Sequence, residues 1–149
     1  ADLAVAANIP DRYISSPEQR MDIYRRIALI RTEEEADDLT DELIDRFGET
    51  PPGVNALIHV ALLRGEAGRA GITDISQKQG TLRFTLSDFD MEKVSALYAR
   101  EEYKNRLRVE AGSKPCLSLK IKNKNRVIDE ARSFAADWAA CGQTAEQST

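Results

Sequence analysis

The periodicity of the apolar residues changes close to Gly71. Before that point, apolar residues recur every three or four positions, which is typical of helices with one buried face. After it, Leu82, Phe84 and Leu86 alternate with polar residues, which is the period of a strand with one buried face. Because helices come first and strands follow, the sequence predicts an α+β domain with a mainly antiparallel sheet.

Three helices are predicted in the first half of the chain, and the first two carry clear start signals. Ser16 followed by Pro17 is typical of an N-cap and a first helical residue. Thr32 and Glu35 have the spacing of a capping box, which predicts the start of the second helix. The third helix is predicted to begin at the proline pair 51–52 and is apolar on nearly all sides, as expected of a buried helix.

The second half of the chain is predicted to contain the strands together with two further helices. The expected elements are a hairpin over 72–76 and 82–86, a helix that begins after Asp88 or Asp90 and extends to Tyr103, strands over 107–109 and 117–121, and a last helix over 126–141. On the strand over 117–121, Ser118, Lys120 and Lys122 are predicted to point outward. The expected architecture is N-terminal helices packed on a mainly antiparallel sheet of about four to five strands, with a C-terminal helix.

Length and composition favour one globular domain: the chain has 149 residues, of which 42% are hydrophobic. We expect residues 1–149 to form that domain, with an opening strand or loop over 1–16 and a frayed tail over 143–149. The chain begins at Ala1 without an initiator Met, so we expect a C-terminal fragment of a longer multidomain protein. The longest uncharged run has 14 residues with two prolines, which is too short to span a bilayer.

Acidic residues are concentrated in residues 32–50, which hold nine Asp or Glu and a single Arg. On the second helix they recur at spacings of three and four, opposite Leu39 and Leu43. A solvated helix face explains such a stripe, whereas docking of a basic protein partner would relieve its internal repulsion. The candidate protein-interaction residues are Asp38, Asp41, Glu42, Asp45 and Arg46.

Basic residues are concentrated in residues 111–126, which hold four Lys and one Arg with no acidic residue. No aromatic residue interleaves them, so the stacking platform of a single-strand binder is absent. Two interpretations stay open: a row of solvated lysines on an edge strand that discourages aggregation, or weak, salt-sensitive contacts with phosphates. The candidate phosphate contacts are Lys120, Lys122, Lys124 and Arg126.

No catalytic constellation is recognisable. The glycine-rich residues 65–71 lack the Gly-Lys-Ser/Thr ending of a P-loop, and although they imitate the GxxG loop of KH domains, a helix end with a turn is the commoner cause. His59, the only histidine, has no nucleophile or carboxylate at helical or turn spacing. Cys116 and Cys141 have no ligand partners at metal-site spacing. We therefore expect no catalytic residue, cofactor or metal in this chain, and a reducing cytoplasmic compartment.

Three sequence blocks point to a known family: IPDRYI at 9–14, RMDIYRRI at 20–27 and ELIDRFG at 42–48, followed by Pro51. In order and spacing they resemble the C-terminal domain of the bacterial transcription-repair coupling factors, over about residues 3–110. The resemblance implies that the parent is a superfamily 2 ATP-driven DNA translocase, which removes stalled RNA polymerase and recruits the repair protein UvrA. ATP and magnesium would then be bound by motor domains outside this chain, in the bacterial cytoplasm.

The resemblance also implies a regulatory role for this domain. In the family, it docks on the N-terminal UvrA-like module of the same protein as an autoinhibitory latch, and charged residues of the third block make that contact. Those residues are here Glu42, Asp45 and Arg46. UvrA, RNA polymerase and DNA would be reached through other domains, and no membrane is involved. The alternative is a nucleic-acid contact module that uses the basic strand over 114–126.

Overall fold

The computed structural model describes residues 3, 7–110 and 114–147, with the backbone alone over 142–147. The chain divides into two compact units: the first is Val5–Gly65, and the second is Glu66–Thr149 together with Ala1–Ala4. The elements are α1 Pro17–Ala28, α2 Glu33–Phe47, α3 Pro52–Arg69, β1 Ile72–Lys78, β2 Thr81–Leu86, α4 Met91–Tyr98, β3 Leu107–Glu110, β4 Cys116–Lys120 and α5 Val127–Gln147. The predicted α+β class is confirmed, with three N-terminal helices, a four-stranded antiparallel sheet and a C-terminal helix.

In the first unit, α1 and α2 begin where their caps predict. The Ser16 hydroxyl accepts a hydrogen bond from the Gln19 backbone, and Pro17 occupies the first turn of α1. Thr32 and Glu35 form both bonds of the capping box. The helices bury their apolar faces in one core, which contains Ile14, Ile23, Ile27, Ile30, Leu39, Leu43, Val54, Ile58 and Leu62.

The segment that precedes α1 has neither helix nor strand over 7–10 and 14–16, and a turn over 11–13. Of the predicted opening strand or loop, residues 1, 2 and 4–6 lie outside the described part of the chain. The Asn8 backbone N–H donates to the Gly53 carbonyl (3.2 Å), and the Ile9 N–H donates to the Tyr24 hydroxyl (2.8 Å). A Cβ on Gly53 would lie 2.6 Å from the Asn8 side chain, so this close approach requires glycine.

Helix α3 runs through two glycines of the glycine-rich segment 65–71. Gly65 and Gly68 both lie inside the helix, and the Ala70 N–H still donates to the Glu66 carbonyl (3.1 Å). The comparison with a KH loop over 65–71 is therefore wrong, whereas a helix end followed by a turn is confirmed at Arg69 and residues 70–71. Gly65 is needed for a different reason, because a Cβ there would lie 2.8 Å from the Arg31 carbonyl oxygen.

In the second unit, the four strands are all antiparallel, in the order β1-β2-β4-β3. Gln79 and Gly80 connect β1 to β2, and both have positive φ (48° and 75°), as a two-residue hairpin with the twist of the strands requires. Strand β4 lies between β2 and β3. The interpretation of the basic segment as a row of lysines on an edge strand is therefore wrong. Lys120 lies on β4, and the edges of the sheet are β1 and β3.

The inner face of the sheet packs on α5. Phe84 of β2 stacks on Phe134 of α5 with 4.1 Å between ring centroids, and Leu117 and Leu119 of β4 are buried beside them. Ser118 alternates to the outer face as predicted, but its side chain is buried there rather than exposed to solvent.

Two helix ends differ from the prediction. Helix α4 is capped by Asp90, whose carboxylate accepts from the Glu92 N–H (3.0 Å), but it ends at Tyr98. Tyr103 lies in a turn beyond the helix, where its hydroxyl donates to Asp137. Helix α5 continues to Gln147, six residues further than predicted and into the expected tail. Over the described residues, no helix is both long and apolar enough to cross a membrane.

Candidate protein-interaction surface

One side of α2 forms an exposed acidic face, which we define as Glu34, Asp38, Asp41 and Asp45. The helical spacing of three and four places these carboxylates on one side, and all four residues are exposed. The opposite side of α2 carries Leu39 and Leu43, which are buried in the core of the first unit. The structure therefore brings together three of the predicted interaction residues, the three aspartates, on one solvent-facing surface.

Glu42 lies at the flank of the acidic face and is held by two arginines. Its carboxylate accepts a bidentate pair of hydrogen bonds from Arg26 of α1, one of them 2.8 Å long, and a further bond from Arg46 (3.1 Å). The Arg26 hydrogen bonds, with a smaller contribution from Arg46, lower the pKa of Glu42 to about 2. Glu42 is thus a constitutively ionised bridge between α1 and α2.

Arg46 is positioned by the residues around it. Its guanidinium bonds to Glu42 and lies 4.8 Å from the centroid of the Phe47 ring. Phe47 in turn contacts the Tyr13 ring at 5.8 Å between centroids, and the Tyr13 hydroxyl donates to the Gly48 carbonyl (2.8 Å). The aromatic residues around the ELIDRFG block therefore pack the helices and orient Arg46.

Beside the acidic face lies a shallow hollow of about 240 Å³, between the end of α1 and the side of α2. Asp38 and Glu42 line it together with apolar side chains, and Leu29 at its rim is 70% exposed. Sequence reasoning missed both Arg26 and Leu29. No spacing along the chain connects Arg26 to Glu42. Leu29 could have been found, because it is an apolar residue at the end of the predicted first helix that does not follow the helical spacing of the buried residues.

The basic segment has a different geometry. Lys122, Lys124 and Arg126 line a depression of about 750 Å³ in the loop before α5, whereas Lys120 lies outside it on β4. Arg126 is paired with Asp129 (3.1 Å). The Glu130 carboxylate accepts from the backbone N–H of Lys122 (2.9 Å) and of the following residue, and pairs with Arg106. Acidic side chains therefore neutralise part of this basic surface.

The residues considered for catalysis are scattered. His59 is exposed on α3, and Cys116 and Cys141 are free thiols, both half-buried. The Cys116 sulfur lies 3.6 Å from the Thr85 hydroxyl oxygen. In the part of the chain that the structure describes, no three His, Cys, Asp or Glu residues are placed to hold a metal ion together.

Comparison with known proteins gives a consistent result. A protein-family model described as the TRCF domain matches residues 3–97. The chain is 37% identical over 87 residues to the transcription-repair-coupling factor of Bacillus subtilis (strain 168), which covers 58% of this chain and 7% of that protein. It is 35% identical over 107 residues to the transcription-repair-coupling factor of Mycobacterium bovis, which covers 69% of this chain and 9% of that protein.

A solved structure shares the fold. The crystal structure of the C-terminal domain of a transcription-repair coupling factor superposes with a TM-score of 0.78 at 21% identity, over 96% of this chain and 94% of the other. The chain spans only 7% to 9% of the length of the two relatives above. Because the family model covers well over half of its residues, the chain belongs to the TRCF domain family of transcription-repair coupling factors.

Proposed function

We propose that this chain is a non-catalytic regulatory domain, and that it docks through the acidic face of α2 onto the N-terminal UvrA-like module of its own parent protein. Docking would act as an autoinhibitory latch that covers the surface UvrA uses. The parent would be an ATP-driven DNA translocase of the bacterial cytoplasm, which acts on stalled RNA polymerase. ATP, magnesium and DNA would be bound by its other domains.

The observation that carries this proposal is the set of aspartates on one exposed side of α2. Asp38, Asp41 and Asp45 repel one another at helical spacing, so a basic partner relieves a cost that is present in the undocked domain. Asp45 lies in the last turn of α2, where the negative end of the helix dipole also disfavours a carboxylate. A positively charged groove on the partner would compensate both effects.

The geometry divides the roles of the ELIDRFG block. Asp45 and Arg46 are exposed and available for contact. Glu42 already bonds to Arg26 and Arg46, so we assign it a positioning role, in which it holds the Arg46 guanidinium in place. Exposed Leu29 beside Asp38 would supply an apolar anchor at the rim of the acidic face.

Weak docking is sufficient for a latch of this kind. A tethered domain meets its partner at an effective concentration in the millimolar range, so a modest affinity keeps the latch mostly closed. The latch then opens when another interaction of the parent stabilises the undocked arrangement. An exposed, charged contact surface suits this reversible role better than a large apolar one.

A calorimetric titration of the chain into the N-terminal UvrA-like module of its parent, at low and high salt, tests the proposal. We expect binding that weakens as salt rises. Double charge reversal, Asp41→Lys with Asp45→Lys, should weaken binding about tenfold, because each exposed pair contributes about 0.2–1 kcal/mol.

The matched control is Glu18→Lys with Glu92→Lys, which makes the same change in net charge at exposed positions outside α2. An equal loss in the control, or unchanged binding in the double reversal, would exclude the acidic face.

A second candidate function rests on the depression before α5, where Lys122 and Lys124 are exposed. These lysines would contact nucleic-acid phosphates. Titration of the chain with duplex DNA separates the two functions, since phosphate contacts give an affinity that falls steeply with salt and is lost on Lys122→Gln with Lys124→Gln. If the chain docks through the acidic face, its affinity for the UvrA-like module should not change in this lysine variant.

A further inference from the structure

The outer face of the sheet carries a polar row that crosses all four strands. The register places Ser76 of β1 opposite Arg83 of β2, Arg83 opposite Ser118 of β4, and Ser118 opposite Arg108 of β3. Adjacent positions in such a row are close enough for side chains to share one ligand. This row has no part in the proposed docking surface.

Ser118 is the unusual member of the row. It is 6% exposed, and its hydroxyl oxygen is buried without a hydrogen-bond partner among the described residues. Strand β4 is paired on both sides, so its backbone polar groups serve the two ladders rather than the Ser118 side chain. A buried hydroxyl without a partner carries the full penalty of its lost hydration. A ligand that accepts a hydrogen bond from this hydroxyl removes that penalty.

The Ser118 hydroxyl lies at a small cavity of about 210 Å³ on the outer face. The lining residues are Ser76, Lys78, Gln79, Thr81, Arg83, Glu110 and Ser118. Six of these seven side chains can donate hydrogen bonds, and only Glu110 is an obligate acceptor when ionised. Two cations against one carboxylate leave the lining positive, which disfavours a cation and favours an anion.

We propose that this cavity binds a single phosphate group, through the Ser118 hydroxyl, the Lys78 ammonium and the Arg83 guanidinium. Several donors from three neighbouring strands suit an oxyanion with several acceptor oxygens, and the forked guanidinium bonds two phosphate oxygens at once. Inorganic phosphate and a phosphate of a nucleic-acid backbone both present such oxygens, and the test below distinguishes the two sources.

Arg83, which lies opposite Ser118 in the register, is held in an ion pair. Arg83 bonds to Glu110 at 2.7 Å, and their side chains are 54% and 37% exposed. Ion pairs at this exposure contribute little to stability, so the pair opens at small cost. Arg83 then exchanges the Glu110 carboxylate for the phosphate, and Ser118 gains an acceptor in the same step.

An NMR titration of the ¹⁵N-labelled chain with sodium phosphate, at ionic strength held constant with sodium chloride, tests the proposal. We expect saturable shifts at Ser118 and Lys78. Ser118→Ala should weaken phosphate binding about tenfold, because a hydrogen bond to a charged group is lost. The same variant should be as stable as the wild type in urea, since alanine removes a hydroxyl that has no partner in the unliganded domain.

Lys124→Gln is the matched control, because Lys124 belongs to the other basic depression. Retained binding in this variant supports the Ser118 cavity. Shifts that do not saturate, or a loss in Lys124→Gln that equals the loss in Ser118→Ala, would overturn the proposal. A parallel titration with a single-stranded oligonucleotide distinguishes the source: Ser118-dependent binding far tighter than that of inorganic phosphate assigns the site to nucleic-acid backbone, and equal affinity assigns it to free phosphate.

Discussion

Glu42 shows how a residue of the interaction block takes its role from residues distant in sequence. Its carboxylate is bonded by Arg26 of the preceding helix as well as by Arg46 one turn further on. The Arg46 contact follows from the helical spacing of four and was within reach of sequence reasoning. The Arg26 contact was not, because it depends on how α1 packs beside α2.

Glu42→Gln should make the stability of the domain less dependent on pH in the acid range. The pKa of Glu42 is lowered from 4.5 to about 2 in the folded chain, so its ionised form stabilises the fold above the unfolded pKa. That contribution is lost as pH falls from about 4.5 towards 2. Urea denaturation at several pH values should therefore show a difference between wild type and variant that is constant near neutral pH and shrinks on acidification.

A double-mutant cycle with Arg26→Gln provides the control for this prediction. If the two side chains act as one pair, Glu42→Gln should cost less in the Arg26→Gln background than in the wild type. A difference that stays the same from pH 6 to pH 2 would contradict the role of the Arg26 pair in lowering the Glu42 pKa.

At the scale of the elements, helix starts were predictable and the end of α3 was not. Capping is a local interaction, so Ser16 and Thr32 located α1 and α2 from the sequence alone. The glycines of α3 have no local signature that separates a helix end from a close contact. Gly65 is buried because the Arg31 backbone passes against it, which only the folded structure reveals.

Alanine substitutions at Gly65 and Gly68 of α3 should have opposite effects. At Gly65 a Cβ would lie 2.8 Å from the Arg31 carbonyl oxygen, so backbone must shift and we expect a loss of about 1–3 kcal/mol. At Gly68 the Cβ would meet nothing within 4 Å, and the added helix propensity should stabilise by about 0.5–1 kcal/mol. Thermal and urea denaturation of both variants measure the change in the free energy of unfolding. A change of the same sign in both variants would contradict the difference in space around the two glycines.

At the scale of the whole molecule, charge and aromatic residues are distributed unequally between the two units. Residues 5–65 hold twelve acidic and seven basic residues, and the residues of the other unit hold thirteen acidic and fourteen basic ones. The single tryptophan, Trp138, is buried in the second unit, where the Phe134 ring contacts it. Tryptophan fluorescence therefore reports on the sheet unit.

Phe134→Ala should lower the stability of the sheet unit by about 3–5 kcal/mol, because a fully buried ring is lost from a packed core. The ring stacks on Phe84 and contacts Tyr103, so no single neighbour fills the space. Urea denaturation followed by Trp138 fluorescence measures the change. Phe89→Ala is the control, since Phe89 is 38% exposed and should change stability by less than about 0.5 kcal/mol. Similar losses in both variants would contradict this assignment of the core.

The fold class, the helix starts, the hairpin and the acidic side of α2 could all be predicted from the amino-acid sequence, because each depends on interactions between residues close together in the chain. The three sequence blocks likewise indicated the relationship to transcription-repair coupling factors. The central place of β4, the Arg26 bridge to Glu42 and the burial of the Ser118 hydroxyl became visible only in the folded chain. These features join segments far apart in sequence, and their geometry is set by packing that no local pattern encodes.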